Sequence, residues 1–522
     1  MAAARAGDLD RAAAGAQAVL ARAPGDPNAL QILGLVKWRQ GRNAEALDAF
    51  LRAARAAPNH APILNSLGIL YRERGDLAAS RAALEKAVRA QPAFIDAVHN
   101  LASTLTAMGD SGAESWFERA LALDPRHAET LGKYARHLES RHEIERAREM
   151  ANRALAVDPK NALARMTLAD IDARAGDHAA VVARTSDALA LPLAPANRAI
   201  LHGMRARALE KLSRFAESFA DCAAANAVMR AQYAEAYSGV SGPRTPDTLV
   251  RLEAFAREAP ASIWRHTEGF ADPDPVFFVG FPRSGTTMLD QILSTFPTLC
   301  VLEEKECIQD AWLELVMAPG ALERWKDLTD ADIARLRGAY WARAKALAGA
   351  DASLVIDKLP LDTALLGLIH LVFPKARIIF ALRDPRDVVL SCFQQTFGMN
   401  AAMYRFLDLG TAAAYYDQVM RLGVLWRKKL PLVVHEVRYE RVVADFDGEI
   451  GRLLAFLDLP WSDDLRRFHE TARARNIRTP SARQVIQPLY SSSVGKWRNY
   501  RAELEPVLPL INPWTEYYGY DA

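Results

Sequence analysis

The sequence predicts two unlike architectures in one chain: a superhelix of helical repeats, then a P-loop-like α/β domain with a parallel sheet. Three observations predict this. Pro24, Pro58, Pro92, Pro125, Pro159 and Pro192 recur at intervals of 34, 34, 33, 34 and 33 residues, and a period of that length marks stacked supersecondary units. Val276-Phe277-Phe278-Val279-Gly280 is a short apolar run suited to a buried parallel strand, and after a loop at 281–287, Met288, Leu289, Ile292 and Leu293 follow at helical spacing. The run from Ala376 to Leu382 reads as another buried strand, with Asp384 suited to cap the next helix and Pro385 to its first turn.

A second series runs through the repeats. Gly7, Gly41, Gly75 and Gly109 keep an interval of 34, and Gly176 returns to phase after a position held by His142. Each lies between two helical patterns. Leu33, Gly34, Ala46, Phe50, Ala53 and Pro58, then Leu67, Gly68, Tyr71, Leu84, Ala87 and Pro92, stand where the tetratricopeptide pattern wants them. Small residues let two helices approach, large ones fill the gap, and proline stops the second helix. Residues 1–230 thus resemble a tetratricopeptide array, with Phe50 and Tyr71 as core residues rather than ligands. The resemblance implies a concave face for a peptide or another chain; a spacer or dimerisation arm is the alternative. Met1 falls within what should be a first helix, which leaves Gly7 onward as the first recognisable turn and second helix. The period fades after Arg230 and 238–246 is rich in breakers, which divides the chain into the array 1–230, a helical linker 231–271 and an α/β domain 272–522.

Composition narrows the function. With 65 Lys plus Arg against 63 Asp plus Glu the net charge is +2, so no global field favours nucleic acid and an anion site has to be local. Four scattered cysteines suit a reducing compartment rather than a disulfide framework. The N-terminus lacks an apolar leader and no later stretch reaches the roughly eighteen apolar residues of a membrane span, so a cytoplasmic protein is expected. No metal is expected either, since the eleven histidines have no partners at ligand spacing.

The chemistry concentrates in the second half. Strand, loop and helix around Phe281-Pro282-Arg283-Ser284-Gly285-Thr286-Thr287 form a phosphate-binding arrangement: Gly285 permits the turn, backbone N–H groups converge, and the helix N-terminus favours an anion. The Walker lysine is absent, because Arg283 enters the loop before the glycine. This disfavours a nucleotide kinase. At the second strand, Arg383 stands at the carboxyl end and Ser391 about two helical turns on, a fork and a hydroxyl suited to a terminal phosphate.

Pro-Arg-Ser-Gly-Thr-Thr (282–287) resembles the 5′-phosphosulfate loop of sulfotransferases, and Arg383-Asp384-Pro385-Arg386-Asp387 through Ser391 looks like their 3′-phosphate motif. The pair implies 3′-phosphoadenosine 5′-phosphosulfate as co-substrate and sulfuryl transfer to a hydroxyl. That reaction needs a base and cations but no metal. Arg283 is one candidate cation and Lys358 the other, matching a lysine before a proline in tyrosylprotein sulfotransferases. Glu303-Glu304-Lys305-Glu306 resembles the Glu-Glu segment of those enzymes, whose second glutamate is the base; alone, such a run suits a solvated helix face. Glu304 is favoured over His370. By the same resemblance Tyr439 lies near the adenine or ribose, with a packed core tyrosine as the alternative, and Ser481 and Lys496 reach the donor. The likeness spans about residues 273–515. The acceptor implied is a hydroxyl, nearest a protein tyrosine held by the repeats, with carbohydrate, lipid or small-molecule hydroxyls as alternatives. A repeat scaffold with an inactive nucleotide domain is the rival from another class, and intact Arg283, Glu304, Lys358 and Ser391 speak against it.

Overall fold

A computed structural model describes residues 8–264, 273–296, 298–348, 354–470 and 493–521. They divide into two compact units, Met1–Asn197 and Arg198–Ala522.

In the first unit the helix Leu9–Arg22 precedes five helical hairpins, from Pro27–Arg39 with Asn43–Ala56 to Ala162–Arg174 with His178–Leu189. The glycines near the middle of the first helices are required by packing. A Cβ on Gly34 would stand 2.6 Å from Cε1 of Phe50, and one on Gly68 would stand 2.4 Å from Cγ of Leu84. Either substitution would drive its hairpin apart. The turn glycines have a different cause: Gly41, Gly75, Gly109 and Gly176 all have φ between 72 and 80°, and His142 holds the same left-handed conformation at 64°, at a cost of roughly 1–2 kcal/mol. Phe50 is fully buried, as its place in the pattern requires, whereas Tyr71 is half-buried beside it.

The second unit opens upstream of the α/β domain. Residues 198–230, which the periodicity assigns to the array, keep helical form but contribute apolar side chains here: Phe219 stacks on Phe393 with centroids 4.9 Å apart, and Asn226 donates to the Phe393 carbonyl at 2.8 Å. The expected domain start near Asp272 lies outside the described residues.

Five parallel strands form the sheet in the order β2-β3-β1-β4-β5, with β1 Val276–Val279, β2 Leu299–Glu303, β3 Leu354–Lys358, β4 Arg377–Leu382 and β5 Val433–Arg438. Val276 is level with Ile356 on one side and Arg377 on the other, and Leu382 with Arg438. Alternation sends Phe277, Val279, Ile378 and Phe380 into one core and Val276, Phe278, Ile356 and Ile379 into the other. Both faces are covered, which is why these strands read as continuous apolar runs. Among the described residues no helix is long and apolar enough to cross a membrane.

Candidate active site

A parallel sheet delivers every strand's carboxyl end to one edge, where open α/β sheets build ligand sites. In sheet order that edge carries Glu303 and Glu304 from β2, Lys358 from β3, the loop 280–285 after β1, Arg383 after β4, and Tyr439 after β5.

The loop after β1 is held in a conformation few sequences allow. Arg283 has φ 72° and Gly285 has φ 91°, and Gly285 caps the helix Thr286–Leu293. A Cβ at 285 would stand 2.7 Å from Cδ2 of Tyr439, so the Tyr439 ring supports the loop from below. Ser284 is buried and its N–H donates to the Phe281 carbonyl at 3.1 Å. Thr286 and Thr287 stand at the start of that helix, the end whose potential favours an anion.

The second motif closes on the first. Arg283 Nε donates to Ser391 Oγ at 3.0 Å, and Arg383 Nη1 donates to the Arg283 carbonyl at 3.1 Å. Arg383 also lies over the Tyr439 ring, 4.9 Å from its centroid, and donates to the Ser493 carbonyl. Its Nε is buried with no hydrogen-bond partner among the described residues, as is Nε2 of Gln394. An unsatisfied buried donor costs about 1–3 kcal/mol, a cost that an acceptor oxygen brought to Arg383 Nε would relieve.

Asp387, two residues from Pro385, is the fastener. Its Oδ2 accepts from the Gly495 N–H at 2.7 Å and its Oδ1 from the Trp497 N–H at 2.8 Å, which ties the C-terminal turn to the motif helix. Burial pushes this carboxyl up against the pull of Arg383. Lys496, in the same turn, donates to Gln394 Oε1 at 2.8 Å and pairs with Glu210 Oε2 at 2.7 Å. Ser481 lies outside the described residues.

On the other flank Lys358 is fully buried, with Nζ 3.0 Å from Glu303 Oε1, 3.3 Å from Asp290 Oδ2 and 4.0 Å from Glu304 Oε1. Burial pushes the Asp290 carboxyl up to about 6, with Lys358 opposing and Glu303 adding to the rise. Alternation turns Asp357 to the opposite face, where burial holds it well above the usual carboxylate range. Glu304 has φ 51°, its N–H donates to the Lys358 carbonyl at 2.9 Å, and its side chain is half exposed.

Arg283, Thr286, Thr287 and Glu304 line one cavity of about 480 Å³, together with residues 242–245, Glu306, Trp312, residues 359–361, Phe397 and residues 400–403. A carboxylate, a cation and helix-start donors thus face a partly apolar space. His370 is buried in the helix Leu366–Val372 and does not line it. Asp290, Asp387 and Arg244 were not singled out by sequence reasoning. Asp387 had a signal in the motif it belongs to; Asp290 and Arg244 had none, since their partners are distant in the chain.

The sulfotransferase family model matches residues 275–463 and tetratricopeptide repeat models match 26–93 and 111–171. An uncharacterized protein of Aquifex aeolicus is 27% identical over 401 residues, which is 74% of this chain and half of that protein. A putative protein-tyrosine sulfotransferase of Caenorhabditis briggsae is 25% identical over 47% of this chain and 89% of its own length. Protein-tyrosine sulfotransferase 1 of Danio rerio is 26% identical over 47% and 72%. The chain therefore joins tetratricopeptide repeats in its N-terminal region to a C-terminal domain of the sulfotransferase family.

Proposed function

We propose that the C-terminal domain transfers a sulfuryl group from 3′-phosphoadenosine 5′-phosphosulfate to a hydroxyl, with a protein tyrosine as the nearest acceptor by resemblance. The observation that carries this reading is the union of the two motifs through Arg283, Ser391 and Arg383, beside a cavity that contains Glu304. The 5′-phosphosulfate would lie on the loop 283–287, and the 3′-phosphate would take the orphaned Arg383 donor and Ser391. ATP would leave that second group of donors without a purpose.

Glu304 then accepts the acceptor's proton while the acceptor oxygen forms its bond to sulfur. The sulfur–oxygen bond to the 5′-phosphate breaks, and 3′-phosphoadenosine 5′-phosphate leaves with the electron pair. Arg283 and Lys358 balance the charge on the sulfuryl and phosphate oxygens. The repeats would hold a protein or peptide acceptor. The test is incubation of the protein and a cell extract with isotope-labelled donor, followed by mass spectrometry. Label on protein tyrosine is expected; label on another hydroxyl would move the acceptor, and no transfer above an enzyme-free control would overturn the reading.

A further inference from the structure

Arg244 belongs to the breaker-rich stretch that reads as a linker and lies outside the span matched to the sulfotransferase family. Its side chain is nevertheless only 11% exposed. Nε and Nη2 reach Asp362 Oδ1 at 2.7 and 2.6 Å, while Nη1 and Nη2 reach Glu306 Oε1 and Oε2 at 3.0 and 3.1 Å. The Tyr415 hydroxyl donates to the Arg244 carbonyl at 2.5 Å, which fixes the backbone as well.

Both carboxylates stand beside catalytic candidates. Glu306 follows Glu304 by two residues, and Asp362 lies in the turn Pro360–Leu365 just after Lys358. Thr363, next to Asp362, donates to the Gly280 carbonyl at 2.6 Å, and the Gly280 N–H donates to the Pro360 carbonyl at 3.0 Å, so the same turn grips the root of the phosphate loop. Glu304 holds a positive φ, which a non-glycine residue keeps only where its neighbours over-determine it. Residues 242–245 also line the cavity.

We propose that Arg244 is a positioning residue of the active site, clamping the turns that carry Glu304 and Lys358 and holding 242–245 as a wall of the cavity. The catalytic unit accordingly begins upstream of this segment. The inference rests on the reading above for the task of Glu304.

The test uses the full chain with Arg244→Ala, Arg244→Lys and Glu306→Gln. The first leaves Asp362 as an unpaired buried charge and risks unfolding; the third cuts the partly exposed arm from a charged two-point bond to a neutral single one and keeps Asp362 paired. Amide exchange over 302–307 and 358–365 is expected to quicken roughly tenfold or more in Glu306→Gln and, where it folds, in Arg244→Ala. Arg244→Lys, which keeps the charge without the fork, should return part of the protection. Exchange in Glu306→Gln that is unchanged in both segments, or quickened evenly across the sheet, overturns the clamp. A parent protein that fails to bind the nucleotide would instead overturn the donor reading, and the exchange data would still decide the clamp.

Discussion

The two flanks of the sheet edge follow opposite charge logic. On the β2–β3 flank three carboxylates, Asp290, Glu303 and Glu304, surround one fully buried lysine. On the β4–β5 flank Arg383 faces the site with an Nε that has no partner among the described residues, and the nearby carboxylate of Asp387 is occupied by two backbone N–H groups. A flank with surplus carboxylate suits taking up a proton; a flank with surplus N–H suits holding an anion. The β1 loop joins them, since Arg283 bonds to Ser391 and lines the Glu304 cavity. Proton chemistry and nucleotide binding are therefore expected to be separable by mutation.

The largest separation should come from Glu304→Gln, which keeps shape but cannot accept the proton. Turnover on the acceptor found by mass spectrometry should fall by roughly 10² to 10⁴ with nucleotide affinity nearly unchanged. Glu303→Gln, which weakens the hold on Lys358, should cost less, and Glu306→Gln less again. Equal and mild effects from all three would mean that the base lies elsewhere.

Arg383→Ala should do the reverse. Each charge-assisted bond to a 3′-phosphate is worth roughly 1.5–3 kcal/mol, so its loss should remove most of any preference for 3′-phosphoadenosine 5′-phosphate over ADP. Calorimetry checks this. An unaltered preference would move the 3′-phosphate site away from β4.

A smaller effect concerns Asp290. Its folded-state carboxyl is raised from 3.8 to about 6, so the native protein holds that proton more tightly than the unfolded chain does. This contribution to stability is fully present below the unfolded value and is lost as the pH rises through the folded one. Thermal unfolding between about pH 4 and pH 6 should therefore show a decline that Asp290→Asn flattens; an identical slope in both proteins would contradict the assignment.

Legibility followed the range of the interactions. The repeats were readable because each hairpin obeys one local rule, the glycine facing a large side chain and the left-handed turn, written again every 34 residues or so. His142 broke the turn series in sequence yet keeps its geometry, and His142→Gly should stabilise the unit by roughly 1 kcal/mol in chemical unfolding. The loop after β1 and the helix start at Asp384 were readable for the same local reasons. The division at residue 230 was not, because the helix Phe215–Tyr237 keeps its helical pattern while Phe219 and Asn226 turn to Phe393. Arg244 was invisible because its partners, Glu306 and Asp362, lie far along the chain, and a breaker-rich composition says nothing of what a segment touches.

The most direct test of the central claim is calorimetric comparison of 3′-phosphoadenosine 5′-phosphate and ADP on the unmodified protein. The account predicts much tighter binding of the former, since only that nucleotide offers a phosphate to Arg383 and Ser391; equal affinity for the two would contradict it.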